Sequence, residues 1–119
     1  MIRLFVFSII VLIGLRSATM AAGYFTAIED LPLPQTLAES IDDSVVFDSP
    51  QGRIVTVVAR GFTTVEAVKS YYSNALPPLG WRPDRDGRFS RDDETLSFEY
   101  FVSGRSVTVR IKLLPATRG

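Results

Sequence analysis

Carboxylates are the main side chains available for chemistry in this sequence, because the chain contains neither histidine nor cysteine. Their absence removes the common general base, the thiolate nucleophile and most transition-metal sites. A glycosidase would need two carboxyls that face each other across a cleft. The densest acidic group consists of Asp84, Asp86, Asp92, Asp93 and Glu94. Arginines are interleaved with these acids, which favours solvated or ion-paired turns. A carboxylate hydrolase is therefore the third of three functional hypotheses, and no catalytic residue is predicted.

The same acidic segment does not fit a calcium-binding loop. With Gly87 at the sixth position of an EF-hand loop, the first ligand would be Arg82, and further arginines inside the loop would repel the ion. Gly80, Gly87 and Gly104 are isolated, so the sequence also lacks a glycine-rich loop that could hold phosphate. We predict no metal and no cofactor, and we interpret Asp86-Gly87 as a hairpin turn.

A helix predicted within residues 61–81, GFTTVEAVKSYYSNALPPLGW, would have to position any site. Thr63 and Glu66 have the spacing of a capping box, which predicts the start of the helix. The two prolines that follow Leu76 lack amide donors, so we expect the helix to end by Leu76. Apolar side chains recur at steps of three and four residues, which predicts one buried stripe. The stripe consists of Val65, Val68, Tyr72, Leu76 and Leu79.

Strand patterns lie on both sides of the helix. Residues 45–48 and 53–60 flank the turn sequence SPQG and predict a hairpin before it. Residues 81–91 predict a second hairpin around Asp86-Gly87. Two alternating stretches follow, with apolar residues at Leu96, Phe98, Tyr100 and Val102 and then at Val107, Val109, Ile111 and Leu113. The order β-β-α-β-β-β predicts an α+β fold, a two-layer sandwich with one helix packed on one face of an antiparallel sheet.

The first 22 residues have the features of a signal peptide, with Arg3 near the start, an apolar run at residues 4–15 and small residues after it. Cleavage is predicted after Ala21 or Ala22. We therefore expect an exported, periplasmic protein without a permanent membrane span, and the alternative is that the segment is retained as an anchor. The absence of cysteine argues against a lipid anchor and against disulfides.

The remainder is predicted to be an irregular arm, residues 23–44, followed by a single small domain, residues 45–115. The whole chain has 13 basic and 13 acidic residues, and the signal segment holds two of the basic ones and no acid. Nothing in this balance indicates nucleic-acid binding.

The strings VKSYYSNALPPLGW and DGRFSRDDETLSF resemble a pattern of small, uncharacterised exported proteins of alphaproteobacteria. In that pattern a Tyr-rich helix ends in Leu-Pro-x-Leu-Gly-Trp and a Phe-x-Arg hairpin follows. The resemblance covers residues 45–114. More loosely, the chain is similar to helix-on-sheet modules of outer-membrane assembly lipoproteins, whose lipid-bearing cysteine is missing here. The resemblance implies the fold and the compartment, and it implies no activity.

The leading functional hypothesis concerns the sheet face that a single helix leaves uncovered. This face would present Glu99, Phe101, Arg110 and Lys112, with Phe101 as an apolar anchor and Arg110 as a planar donor to carboxylates. This set of residues on an uncovered face predicts an exported, non-catalytic binding or accessory module of the bacterial cell envelope. Its partner would be a protein or an envelope component. The alternative is that the arm folds across this face and its acids pair with Arg110 and Lys112.

The second functional hypothesis is a carrier of a small apolar ligand held between helix and sheet. Tyr71, Tyr72 and Trp81 would then line the ligand site. The simpler interpretation is that these rings are core, because aromatic stripes at helical spacing usually pack against a sheet. The sequence does not indicate an oligomeric state.

Overall fold

The computed structural model describes residues 23–116 and shows an α+β fold, as predicted. Within these residues one α-helix, α1 (Val65–Ala75), packs on one face of an antiparallel sheet. The predicted signal peptide, residues 1–22, lies outside the described residues.

The main sheet contains seven strands in the order β3-β5-β9-β8-β7-β6, with β4 paired to β5 beside β3. A separate two-stranded sheet is formed by β1 and β2. The strands are β1 (Gly23–Tyr24), β2 (Pro32–Leu33), β3 (Ala38–Glu39), β4 (Val45–Ser49), β5 (Gly52–Phe62), β6 (Arg82–Pro83), β7 (Phe89–Arg91), β8 (Glu94–Ser103) and β9 (Ser106–Pro115). The predicted order is therefore incomplete, because the arm adds three short strands and four strands follow the helix.

Strands β8 and β9 form an antiparallel hairpin of ten residues each. Leu96 lies opposite Leu113, and Tyr100 lies opposite Val109. The turn between the strands contains Gly104 at φ +58°, a left-handed conformation that glycine adopts without a steric penalty. Because side chains alternate along a strand, this register places the apolar positions of both strands on the helix side of the sheet.

The helix begins one residue later than the capping-box spacing predicts. Strand β5 continues to Phe62, and the cap is Thr64, whose extended backbone precedes the first helical residue. The Thr64 hydroxyl accepts a hydrogen bond from the Ala67 amide at 3.1 Å. The predicted Thr63–Glu66 capping box is therefore wrong. The end of the helix is confirmed, because Leu76 is its C-terminal cap.

The predicted stripe is buried in its centre and exposed at its far end. Val68, Tyr72 and Leu76 are buried in the core, and Val65 is half-buried. Leu79 does not belong to the stripe, since it lies in a 3-10 turn, Pro77–Leu79, and is 40% exposed. The prolines that end the helix thus also rotate this side chain away from the sheet.

The arm, residues 23–44, packs against the helix side of the sheet. It contributes Phe25, Ile28, Leu31 and Leu37 to the same core as the helix and the long strands. The buried Tyr72 hydroxyl donates to the Pro32 carbonyl oxygen at 2.8 Å, which ties the arm to the helix. The boundary expected at residue 45 therefore does not separate the arm from the core.

The arm passes so close to β5 that one position must be glycine. A Cβ added to Gly61 would fall inside contact distance of the Thr36 carbonyl oxygen and carbon. Next to this crossing, β3 pairs with β5 through Ala38 opposite Arg60. Gly61 is thus the point at which the arm closes over the end of the sheet.

Arg91 connects the arm with the hairpin that follows the helix. Its guanidinium lies 4.2 Å from the centre of the buried Trp81 ring and donates to the Leu79 carbonyl oxygen at 3.2 Å. It also pairs with Asp30 of the arm at 2.5 Å. An acid of the arm therefore pairs with a cation on the helix side of the sheet.

Candidate functional site

The face of the sheet opposite the helix is the candidate functional site, and we call it the open face. Glu99 lies opposite Arg110, and Phe101 lies opposite Thr108, so their side chains point to the same side of the β8–β9 ladder. Lys112 lies one pair further along, opposite Ser97. The predicted grouping of Glu99, Phe101, Arg110 and Lys112 on one face is confirmed.

Glu99 stands at the centre of the charges on the open face. Its carboxylate lies 3.5 Å from the Arg110 Nη1 atom and 3.1 Å from the Lys112 Nζ atom. All three side chains are about two-fifths exposed, with fractions between 39% and 42%. Ion pairs of such exposure contribute about 0–1 kcal/mol to folding. The charges therefore remain accessible to a partner at little cost in stability.

The alternative that the arm covers the open face is wrong. The arm buries its apolar side chains on the helix side, and the partner of both Arg110 and Lys112 is Glu99 of the neighbouring strand. The physical reason is that the arm's apolar residues gain more from burial in the core than its acids gain from exposed ion pairs.

Phe101 and Arg110 form the most specific feature of the open face. The Phe101 side chain is 47% exposed, and the Arg110 guanidinium lies 5.2 Å from the centre of its ring. Arg110 therefore contacts both the Phe101 ring and the Glu99 carboxylate. A planar donor held beside a half-exposed ring suits a partner that offers a carboxylate next to an apolar group.

Sequence reasoning missed a second apolar area on the open face, formed by the outer strand β4. Val45 and Phe47, both 59% exposed, lie opposite Thr56 and Ile54 of β5. A shallow cleft of about 800 Å³ begins at Ile54 and continues along the end of β9. The sequence VVFD indicated that apolar side chains would lie on both faces of this strand, because three consecutive residues cannot all point to one side of it.

The rings proposed as ligand-lining lie mostly inside the core. Trp81 is 2% exposed and Tyr72 is 1% exposed, while Tyr71 is half-buried and meets Tyr72 edge-on at 5.1 Å. A surface cleft of about 490 Å³ lies at the seam between helix and sheet. Tyr72 and Tyr100 line this cleft, whereas Tyr71 and Trp81 do not. The structure thus brings only one of the three predicted rings to a cleft.

Burial also changes the acidity of the tyrosines at this seam. Burial raises the pKa of Tyr100 to about 12. The pKa of Tyr72 is raised above its ordinary range as well, first by burial and then by the neighbouring Tyr71 and Tyr100. The folded chain therefore keeps these protons when an unfolded chain has released them.

We expect stability to fall with rising pH above about 10, the ordinary pKa of tyrosine, and to fall further up to the pKa of Tyr100. The sign follows because the unfolded state binds fewer protons than the folded state in this range. Urea unfolding in steps from about pH 9 to about pH 11 will measure the loss. Tyr100→Phe will reduce the slope. A free energy of unfolding that stays constant across this range would contradict the assignment.

Four of the five candidate acids, Asp84, Asp86, Asp92 and Asp93, lie in exposed turns on either side of β7, and Glu94 is the first residue of β8. The Asp84 carboxylate accepts from the amides of Asp86 at 2.8 Å and Arg88 at 3.0 Å, and Gly87 adopts a φ of +75°. This hairpin is confirmed, with a loop of residues 85–87 closed by Asp84 and Arg88. Among residues 23–116 no group of three acidic, histidine or cysteine side chains could hold a metal ion. Asp84 thus closes the turn, and Glu94 pairs with Arg53 at 3.1 Å.

Comparison with known proteins finds no family model, no curated protein and no solved structure that matches this chain. The resemblance to small exported proteins of alphaproteobacteria therefore stays a prediction. Within the described residues, no helix has the length and apolar character needed to cross a membrane.

Proposed function

We propose that this chain is a non-catalytic binding module of the bacterial cell envelope that holds a protein partner on the open face. One observation carries the proposal: helix and arm both pack on one side of the sheet, and the other side presents Phe101 half-exposed beside Arg110. The compartment follows from the signal-peptide pattern of residues 1–22 and stays a proposal.

The chemistry of the open face indicates what the partner offers. Phe101 supplies an apolar contact, and Arg110 supplies planar donors for a carboxylate. Glu99 already balances part of the positive charge, so a neutral or mildly acidic surface fits better than a polyanion. The partner we propose is therefore a folded protein or peptide with an exposed apolar side chain next to an acidic one.

The test separates binding from folding by a triple variant, Phe101→Ser with Glu99→Arg and Arg110→Glu. The exchange of charges preserves an ion pair between positions 99 and 110, but it removes the pair between Glu99 and Lys112 and places an arginine beside Lys112. The serine removes an exposed ring. We expect the melting temperature to fall by no more than about 8 °C, because exposed pairs contribute about 1 kcal/mol or less and 1 kcal/mol shifts the melting temperature of a domain of this size by about 4–8 °C. Affinity purification from the cells that make the protein should recover a partner with the parent chain and lose it with the variant.

The matched control is Asn74→Arg, which changes charge on the exposed side of the helix. It should leave both the melt and the partner unchanged. A collapse of the triple variant's melt would show that the open face is needed for folding, and recovery of the same partner with the triple variant would contradict the proposal.

A second candidate function, the carrier of a small apolar ligand, rests on the 490 Å³ cleft at the helix–sheet seam. Native mass spectrometry of protein purified from its own cells discriminates between the two. A retained small mass favours the carrier, and a co-purified polypeptide favours the binding module.

A further inference from the structure

Strand β4 is an outer strand whose free side no described strand covers. It pairs with β5 on one side, from Val45 opposite Thr56 to Ser49 opposite Gly52. In an antiparallel pair every second residue directs its amide and carbonyl groups away from the neighbour. The outer side of β4 therefore offers hydrogen-bonding groups to a further strand.

The side chains of this strand are unusually exposed for their type. Val45, Val46 and Phe47 are 59%, 62% and 59% exposed, and Ile41 in the preceding 3-10 turn is 60% exposed. Natural edge strands are usually protected by charge, proline or a bulge within the strand. The only charged residue within β4 is Asp48.

The charges within β4 and just before it are all negative. Asp42 and Asp43 immediately precede the strand, Asp48 lies within it, and all three are exposed. Neither Asp42 nor Asp48 forms an ion pair with a described residue, and the cross-strand neighbour of Asp48, Arg53, is paired with Glu94 at 3.1 Å. A strand added here would therefore meet acidic and apolar side chains.

We propose that β4 accepts an extended, basic peptide segment of a protein partner as an additional antiparallel strand. Main-chain hydrogen bonds would supply affinity, and alternate side chains would supply specificity. Apolar residues on one side of the added strand would contact Val45 and Phe47 at the margin of the open face. A lysine or arginine on its other side would face Asp48, with further cations near Asp42 and Asp43.

This inference deepens the proposed function. It rests on that function in one respect, namely that the partner is a polypeptide. A second copy of the chain fits less well, because it would bring the same acids to the same edge. The edge and Phe101 are separate parts of the sheet, so each can fail without the other.

The experiment uses a fluorescent eight-residue peptide of alternating valine and lysine, titrated against the exported chain and followed by anisotropy. We expect saturable binding that weakens about tenfold when lysine is replaced by glutamate, or when Asp42→Lys and Asp48→Lys are combined in the protein. A peptide N-methylated at alternate residues keeps every charge but lacks the amide donors, and it should not bind. Phe101→Ser should bind the parent peptide normally.

Four outcomes would overturn the inference. Equal binding of the N-methylated peptide would mean simple charge attraction without strand addition. Absence of binding by the valine–lysine peptide would mean that the edge is not a site. A concentration-dependent dimer in sedimentation velocity, dissociated by the valine–lysine peptide, would mean that a second copy occupies the edge. Loss of peptide binding in Phe101→Ser would place the peptide on the open face instead.

Discussion

Replacing Trp81 with alanine will lower the free energy of unfolding by about 3–5 kcal/mol, the usual cost of removing a buried aromatic ring. Trp81 is 2% exposed, and its ring carries the Arg91 guanidinium that also holds Asp30 and the Leu79 carbonyl. Truncation therefore removes core volume and the support of a contact between arm and hairpin. Small domains have a total stability of about 5–15 kcal/mol, so the variant should be partly unfolded at moderate temperature.

The matched control is Trp81→Phe. It keeps most of the ring and removes the indole Nε1 group, which has no hydrogen-bond partner within the described residues. We expect a loss below about 1.5 kcal/mol, because relief of an unsatisfied donor offsets part of the lost volume. Urea unfolding of both variants measures the difference. A near-native melt of Trp81→Ala would contradict the assignment of this ring to the core.

Replacing Gly61 with alanine will also destabilise the chain strongly, by an amount at or above the upper end of the range of about 1–3 kcal/mol for overpacking. The added methyl group would meet the Thr36 carbonyl, which is backbone and cannot rotate away. The arm would have to lift from β5, which would weaken its buried contacts through Leu37. Thermal unfolding measures the loss of stability, and hydrogen exchange of the arm amides measures how far the arm lifts from β5.

The control for Gly61 is Gly87→Ala. A Cβ at Gly87 would meet no atom within 4 Å, although its φ of +75° is strained for alanine. We expect Gly87→Ala to lower the free energy of unfolding by about 1 kcal/mol. If Gly61→Ala proved no more damaging than Gly87→Ala, the close passage of the arm over β5 would be incorrect.

The helix and the β8–β9 ladder were predictable because their signals are local. Two consecutive prolines end the helix wherever it packs. Alternation along residues 96–102 and 107–113, with Phe101 as a deviation, fixes which side chains share a face. The cap was misplaced by one residue because Thr63 and Thr64 are both competent caps. The length of β5, which decided between them, depends on its pairing with β9.

The position of the arm was not predictable from its own residues. Phe25, Ile28, Leu31 and Leu37 follow neither helical nor strand spacing, and prolines interrupt them. Their burial is decided by the space left between α1 and the sheet, which is a property of the complete fold. Periodicity therefore gave no reason to assign them to the core.

The residues that share the open face were predictable, because side chains alternate along a strand. Whether other parts of the chain cover that face was not predictable. Glu99, Phe101, Arg110 and Lys112 share a face because of strand geometry alone. Whether that face is bare depends on where the arm goes, and the exposure of Phe47 depends on the position of β4 at the edge of the sheet, where no described strand other than β5 pairs with it. Both are long-range outcomes that the sequence of β4 and β8 does not encode locally.

Photo-cross-linking from position 101 tests the central claim most directly, namely that the open face binds a protein. The full chain carrying benzoylphenylalanine in place of Phe101 would be irradiated in the cells that produce it, beside a chain carrying the same group at Asn74 on the exposed side of the helix. We predict a discrete polypeptide adduct from position 101 that is absent from position 74 and is lost when Glu99→Arg and Arg110→Glu are added. Adducts of the same pattern from both positions, or none from position 101, would contradict the account.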